Sequence, residues 1–274
     1  MLNRTMLCLL MIVCLLLLGC GNRNYYLGRT YMEKGQYDQA ISQFTEAIEM
    51  DPSSYEAYYS RGLVYSNMGR YDPAISDFTM AIEINSWNAS AYKERAVAYA
   101  LKGEHSRAIS DFNTAIKIDP KNADAYYSRG TAYNYKGQYD RALSDFTKAI
   151  EINPGNALFH NDRGLVYAMK GRHDLAISDF TRAIEINPAD ALAFSLRGTT
   201  YRDKGRYDRA IVDYTRAVQI DAEFAEAYTG RATAHYKKGE HADAWRDVRK
   251  AQRLGAQIPP EFLKALREAT GKAP

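Results

Sequence analysis

A period of 34 residues governs this chain. Gly35, Gly69, Gly103, Gly137, Gly171, Gly205 and Gly239 stand 34 residues apart, and two alanine series, Ala40 to Ala244 and Ala47 to Ala251, keep the same spacing. Seven frames (21–54, 55–88, 89–122, 123–156, 157–190, 191–224 and 225–258) fill residues 21–258 without an insertion. At this fixed period one frame is one small unit that cannot bury its apolar face alone. Successive units must therefore stack into a solenoid.

Each half of a frame has the spacing of a helix. In the fourth frame Tyr126, Gly130 and Tyr133 form one stripe, and Ala142, Phe146, Ala149 and Ile150 form another beyond Gly137. Gly137 sits where the first helix ends, since glycine adopts the left-handed conformation that closes a helix. Asn153-Pro154 ends the second helix, because proline disfavours helical geometry in the residue before it. Small residues at Gly130, Ala142 and Ala149 predict close helix approach, with Tyr and Phe filling the remaining space.

These residues resemble the tetratricopeptide repeat family. The first frame carries Leu27-Gly28, Tyr31, Ala40, Phe44, Ala47 and Pro52 at that family's intervals, and the resemblance covers residues 21–258. It implies an all-α fold, a right-handed superhelical solenoid of helix-turn-helix repeats whose first helices line a concave groove. Ser86, Ala222 and Ala256 replace the family's proline in three frames, and Val248 replaces the aromatic in the last. Residues 259–274 are expected to form a C-terminal capping helix and tail. There Pro260 opens a helix, with Phe262, Leu263, Leu266 and Ala269 inward and Glu261, Lys264, Arg267 and Glu268 outward.

The first nineteen residues stand outside the repeat and read as a secretory signal. Arg4 is followed by the uninterrupted apolar run 6–18, which is too short to span a bilayer. Cleavage before Cys20 removes Cys8 and Cys14, so the mature chain keeps one cysteine and has no internal disulfide. Leu17-Leu18-Gly19-Cys20 resembles the lipobox of bacterial lipoproteins, which implies a diacylglycerol on the Cys20 sulfur. More than one acyl chain makes such an anchor stable. Gly21 stands where an inner-membrane retention signal has Asp, so the expected location is the outer membrane, facing the periplasm.

One feature departs from the family. Where leucine is usual before the small residue of the first helix, this chain has Arg61, Arg95, Arg129, Arg163, Arg197 and Arg231. Sixteen residues after each come Asp77, Asp111, Asp145, Asp179, Asp213 and Asp247. The first frame lacks both, having Leu27 and Gln43, so the two series vary together and are expected to pair within a frame.

A catalytic set is not expected. His105, His173 and His241 recur at a position held by Tyr in other frames, and His160 replaces a packing Tyr. His235 and His241 flank Gly239 with no third ligand foreseen, so no metal and no cofactor are predicted. Ser42, Ser76, Ser110, Ser144 and Ser178 fall on outer helix positions. The 36 basic and 33 acidic residues are interspersed, which argues against a nucleic-acid partner.

Surface remains. Carried over from the family, the concave lining comprises Tyr25, Arg29, Tyr59, Leu63, Lys93, Val97, Tyr127, Thr131 and Asn134 in the first four frames. It continues through Asn161, Leu165, Thr199, Arg202, Thr233 and Tyr236. The resemblance implies a non-enzymatic scaffold or adaptor that binds partner peptides or helices there, with no small-molecule substrate evident. The alternative is an assembly factor that escorts an envelope subunit. The family's Lys and Asn clamp for chaperone tails is absent.

Overall fold

The computed structural model describes residues 22–271. Cys20, the signal and Gly21 lie outside the described residues, as do residues 272–274. Among the described residues the chain is helix and turn throughout, with no strand. It divides into two compact units, Met1–Gln138 and Tyr139–Pro274.

The first unit contains α1 over residues 22–33, α2 (Tyr37–Met50), α3 (Tyr55–Asn67), α4 (Tyr71–Ile84), α5 (Ala89–Leu101), α6 (His105–Ile118) and α7 (Ala123–Tyr135). The second contains α8 (Tyr139–Ile152), α9 (Ala157–Met169), α10 (His173–Ile186), α11 (Ala191–Asp203) and α12 (Tyr207–Ile220). It closes with α13 (Ala225–Lys237), α14 (His241–Arg253) and α15 (Pro260–Thr270). Within each unit every helix packs on its successor, and first helices of adjoining frames touch, as α3 does α5 and α11 does α13.

Local chemistry sets these boundaries. At α5 the amide of Gly103 donates to Ala100 O at 2.9 Å and that of Glu104 to Tyr99 O at 2.8 Å, which closes the helix with Gly103 at φ 78°. All seven turn glycines take this left-handed conformation. First helices open on a polar cap: Asn88 Oδ1 accepts from Ala91 N at 3.1 Å and Asn122 Oδ1 from Ala125 N at 3.0 Å. Where proline is missing, the second helix stops at the same place at Ile84 and Ile220 as at Ile152, and one residue earlier at Arg253.

Within each unit the core consists of aromatic rings under small residues. Phe44, Phe78, Phe112, Phe146, Phe180 and Tyr214 are fully buried. The glycine of the first helix is required by close approach, since a Cβ on Gly62 would lie 2.8 Å from Phe78 Cε1. In the seventh frame the smaller Val248 is matched by Ala232, and both are wholly buried.

At the C-terminal end α15 covers this last frame. Leu266 is buried, and Phe262 meets Tyr236 edge-on at 5.5 Å. Ala269, expected on the inward stripe, is exposed instead. Thr270 takes the inward place, accepting from Trp245 Nε1 at 3.4 Å, because Trp245 is buried and needs a partner for its N–H.

Candidate functional site

The arginine series makes a bond network that joins frames as well as helices. Arg61 donates from Nε and Nη2 to the two carboxylate oxygens of Asp77, both at 2.8 Å. The same two-point bonds join Arg95 to Asp111, Arg163 to Asp179, Arg197 to Asp213 and Arg231 to Asp247, at 2.7 to 2.9 Å. A planar guanidinium matches a carboxylate in this way and lysine does not. The aspartates are buried and the arginines nearly so, with Arg197 side-chain exposure at 17% and Asp213 at 5%.

The third nitrogen of each arginine reaches backwards. Nη1 of Arg61 donates to Thr45 Oγ1 at 2.9 Å, of Arg95 to Thr79 at 3.0 Å, and of Arg197 to Thr181 at 3.0 Å. Arg163 and Arg231 do the same to Thr147 and Thr215. Arg129 donates to Asn113 Oδ1 at 2.7 Å, the asparagine standing in the threonine's place. Asp145 is buried at the matching position of α8. The threonine hydroxyl accepts from arginine and donates to a backbone carbonyl, as Thr181 does to Ile177 O at 2.7 Å. These side chains are therefore committed to holding frames together.

The histidines are placed variously. His160 is buried, its Nδ1 3.4 Å from Asp179 Oδ1, so it joins an ion pair instead of merely filling space. Burial alone would raise the Asp179 carboxyl, but the bonds from Arg163 and His160 outweigh it and hold the group below its usual range. His105 stacks on Tyr135 at 5.1 Å. His235 does have acidic neighbours, which corrects the sequence reading: its ring nitrogen and carboxylate oxygens of Glu240 and Asp243 all lie within 4.8 Å. Those carboxylates are occupied, Glu240 by Lys238 at 2.5 Å and Asp243 by Arg246.

The residues expected to line a groove divide by what they touch. Arg29 and Leu165 are exposed. Asn161 is buried, its Nδ2 donating to Asp190 Oδ2 at 2.9 Å. The others, Tyr25, Tyr59, Leu63, Lys93, Val97, Tyr127, Thr131, Asn134, Thr199, Arg202, Thr233 and Tyr236, are half-buried. Several are engaged with their own fold: Tyr25 with Phe44 at 5.9 Å, Tyr59 with Phe78 at 5.8 Å, and Thr199 Oγ1 with Tyr214 OH at 2.9 Å. Burial first, and then Glu94, pushes the Tyr59 phenol up to about 12. Lys93 pairs with Glu94 and Arg202 with Asp203, each at 2.8 Å.

Three of them, Val97, Tyr127 and Thr131, come together in the first unit on the wall of an open cavity of about 500 Å³. Leu101, His105, Phe112 and Tyr135 also line it, along with Ala100, Gly103, Ser128 and Ala132. Leu101 is 58% and Tyr135 73% exposed. The cavity is mainly apolar, with a hydroxyl from Thr131 and an aromatic stack at its rim. Its shape and chemistry suit a bulky apolar side chain presented by another chain. In the second unit, Leu158, Leu165 and Met169 of α9 expose a further apolar stripe. Leu101 and Tyr135 were not named from the sequence. Their signal was present, since both are apolar at a position two before a turn glycine, where Asn67 and Asp203 stand in other frames.

The tetratricopeptide repeat profile matches residues 55–88, 123–156 and 157–190, and a second match covers 180–212. A related TPR repeat profile matches 28–69, 98–134 and 198–239. Among curated proteins no relative matches. Among solved structures, MamA is 30% identical over 60% of this chain and 96% of its own, with a TM-score of 0.57. YrrB, described as a TPR protein with an unusual peptide-binding site, is 27% identical over 67% of this chain and 95% of its own, with a TM-score of 0.58. A tetratricopeptide repeat protein from Parabacteroides merdae is 23% identical over 93% of this chain and all of its own, with a TM-score of 0.67, and shares the fold.

Proposed function

Because this chain belongs to the tetratricopeptide repeat family, we propose that it is a lipid-anchored scaffold of the bacterial cell envelope, binding partner proteins through its first helices. The repeat is a protein-interaction fold. The observation that carries the specific reading is the cavity between α5 and α7. Val97, Tyr127 and Thr131 face it, while Leu101 and Tyr135 hold apolar surface in water at its rim. That exposure costs solubility unless something covers it in use. The peptide site named for YrrB supports the same use of the fold here.

A non-enzymatic role agrees with how the ionisable groups are spent. Five of the buried carboxylates face arginines, and each of those arginines is filled by carboxylate and threonine together, as Arg197 is by Asp213 and Thr181. Cys20 supplies the anchor in this proposal, and Gly21 favours the outer membrane.

Replacing Leu101 and Tyr135 together by alanine tests the binding reading, because both side chains are largely exposed. Partner recovery from crosslinked envelopes should drop about tenfold or more with unchanged circular dichroism, as expected when two rim anchors are lost. Undiminished recovery would rule this cavity out.

A further inference from the structure

The two ends of the repeat array are finished differently. At the C-terminal end α15 lies over the last frame. At the other end α1 presents an open face made of Arg23, Tyr26, Leu27 and Thr30, at spacings of three, four and seven residues from Arg23, and Lys34 follows in the turn just after the helix. All five are exposed, Tyr26 at 63%. Glu33, at the border of this face, is paired with Arg29 at 3.7 Å.

In later frames the same face is the one that stacks. The residues matching Arg23 are Ala57, Ala91, Ala125, Phe159, Ala193 and Ala227, none more than 1% exposed. Those matching Thr30, from Val64 to Ala234, are buried as well, and Leu27 replaces the arginine that bonds the preceding threonine. Stacking another repeat or a second copy of this chain on α1 would bury the Arg23 charge where six frames bury an apolar group. The face is thus unsuited to the contact its position would otherwise make.

Its composition fits something else. A tyrosine, a leucine and a cation on one side of a helix, with a second cation in the turn that closes it, are what settles at a phospholipid headgroup layer, the cations toward anionic lipid and the ring at the interface. Distance supports this. Cys20 is two Cα steps from Asn22, the first described residue of α1, so the two lie within about 8 Å in any conformation.

We propose that the outer face of α1 lies on the membrane surface to which Cys20 is anchored, with Arg23 and Lys34 on anionic headgroups and Tyr26 and Leu27 dipping between them. This rests on the lipoprotein reading above. The repeat array is then held at two points, the acyl chains and this helix, which fixes how its first unit is presented.

The test tethers the mature chain to vesicles of phosphatidylglycerol and brominated phosphatidylcholine through a maleimide lipid on Cys20, the only cysteine beyond the signal. It thereby works whether or not cells acylate that residue. Tyr26→Trp reports contact, with the fluorescence of Trp87 and Trp245 subtracted from the tethered parent protein. Added fluorescence should fall about twofold or more on brominated relative to plain vesicles, as expected for an interfacial side chain. Arg23→Glu with Leu27→Glu, both exposed, should remove that quenching while helicity is kept. Equal brightness on both vesicles, or quenching that survives the two glutamates, overturns the proposal. The mass of the N-terminal peptide from cells separately decides the anchor, so the two failures are distinguishable.

Discussion

The Arg197–Asp213 pair shows how single residues were readable here. The two series came and went together, and Leu27 with Gln43 gave the paired exception, so their partnership was legible from covariation inside one chain. The threonine partner was not, because Thr181 belongs to the preceding frame and a helix-surface threonine has no mark of its own. Arg197→Leu alone leaves Asp213 buried and unpaired, and should cost about 3 kcal/mol in urea unfolding. Adding Asp213→Gln, which copies the first frame, should recover at least half, with a coupling of about 2 kcal/mol in the double-mutant cycle. Additivity would show that the geometry carries no energetic partnership. The pH response follows from Asp179. Its depressed folded-state carboxyl contributes stability above the unfolded carboxylate range and loses it as pH falls through the folded value. Urea midpoints should therefore fall between roughly pH 5 and pH 2, and fall less in the Arg163→Leu, Asp179→Gln protein.

At the scale of the helix, punctuation was the legible part. Turn glycines, apolar stripes and Pro154 set the ends of α7, α8 and their counterparts, and those ends hold to within one residue even where proline is replaced. The capping helix was legible in outline but not in register: Ala269 satisfied the apolar spacing, while the hydrogen-bonding need of Trp245 drew Thr270 inward. Side-chain burial on the first helices was the weakest reading. Position in a frame says which face a residue occupies, but not whether a neighbour such as Phe78 or Asp190 claims it. Gly103→Ala isolates the turn, because a Cβ there meets nothing within 4 Å and only the backbone angle objects. It should cost about 1 kcal/mol and Gly103→Asn less, measured by thermal unfolding. An equal cost for both would point to a side-chain clash instead.

For the molecule as a whole, the fold class was written in the period, whereas the place of binding depended on which apolar groups the packing left in water. Anchoring is a separate matter: Cys20→Ser should move the protein from the membrane to the soluble envelope fraction, and unchanged fractionation would argue against the lipid. The central claim is that partners are held at the cavity between α5 and α7. A photo-crosslinking amino acid placed at Tyr135, and in a second protein at the exposed Ser110 of α6, tests it most directly in intact cells. The account predicts adducts from position 135 that map to one short segment of one partner, and few or none from position 110. Adducts from position 110 alone, or equal and scattered adducts from both, would contradict it.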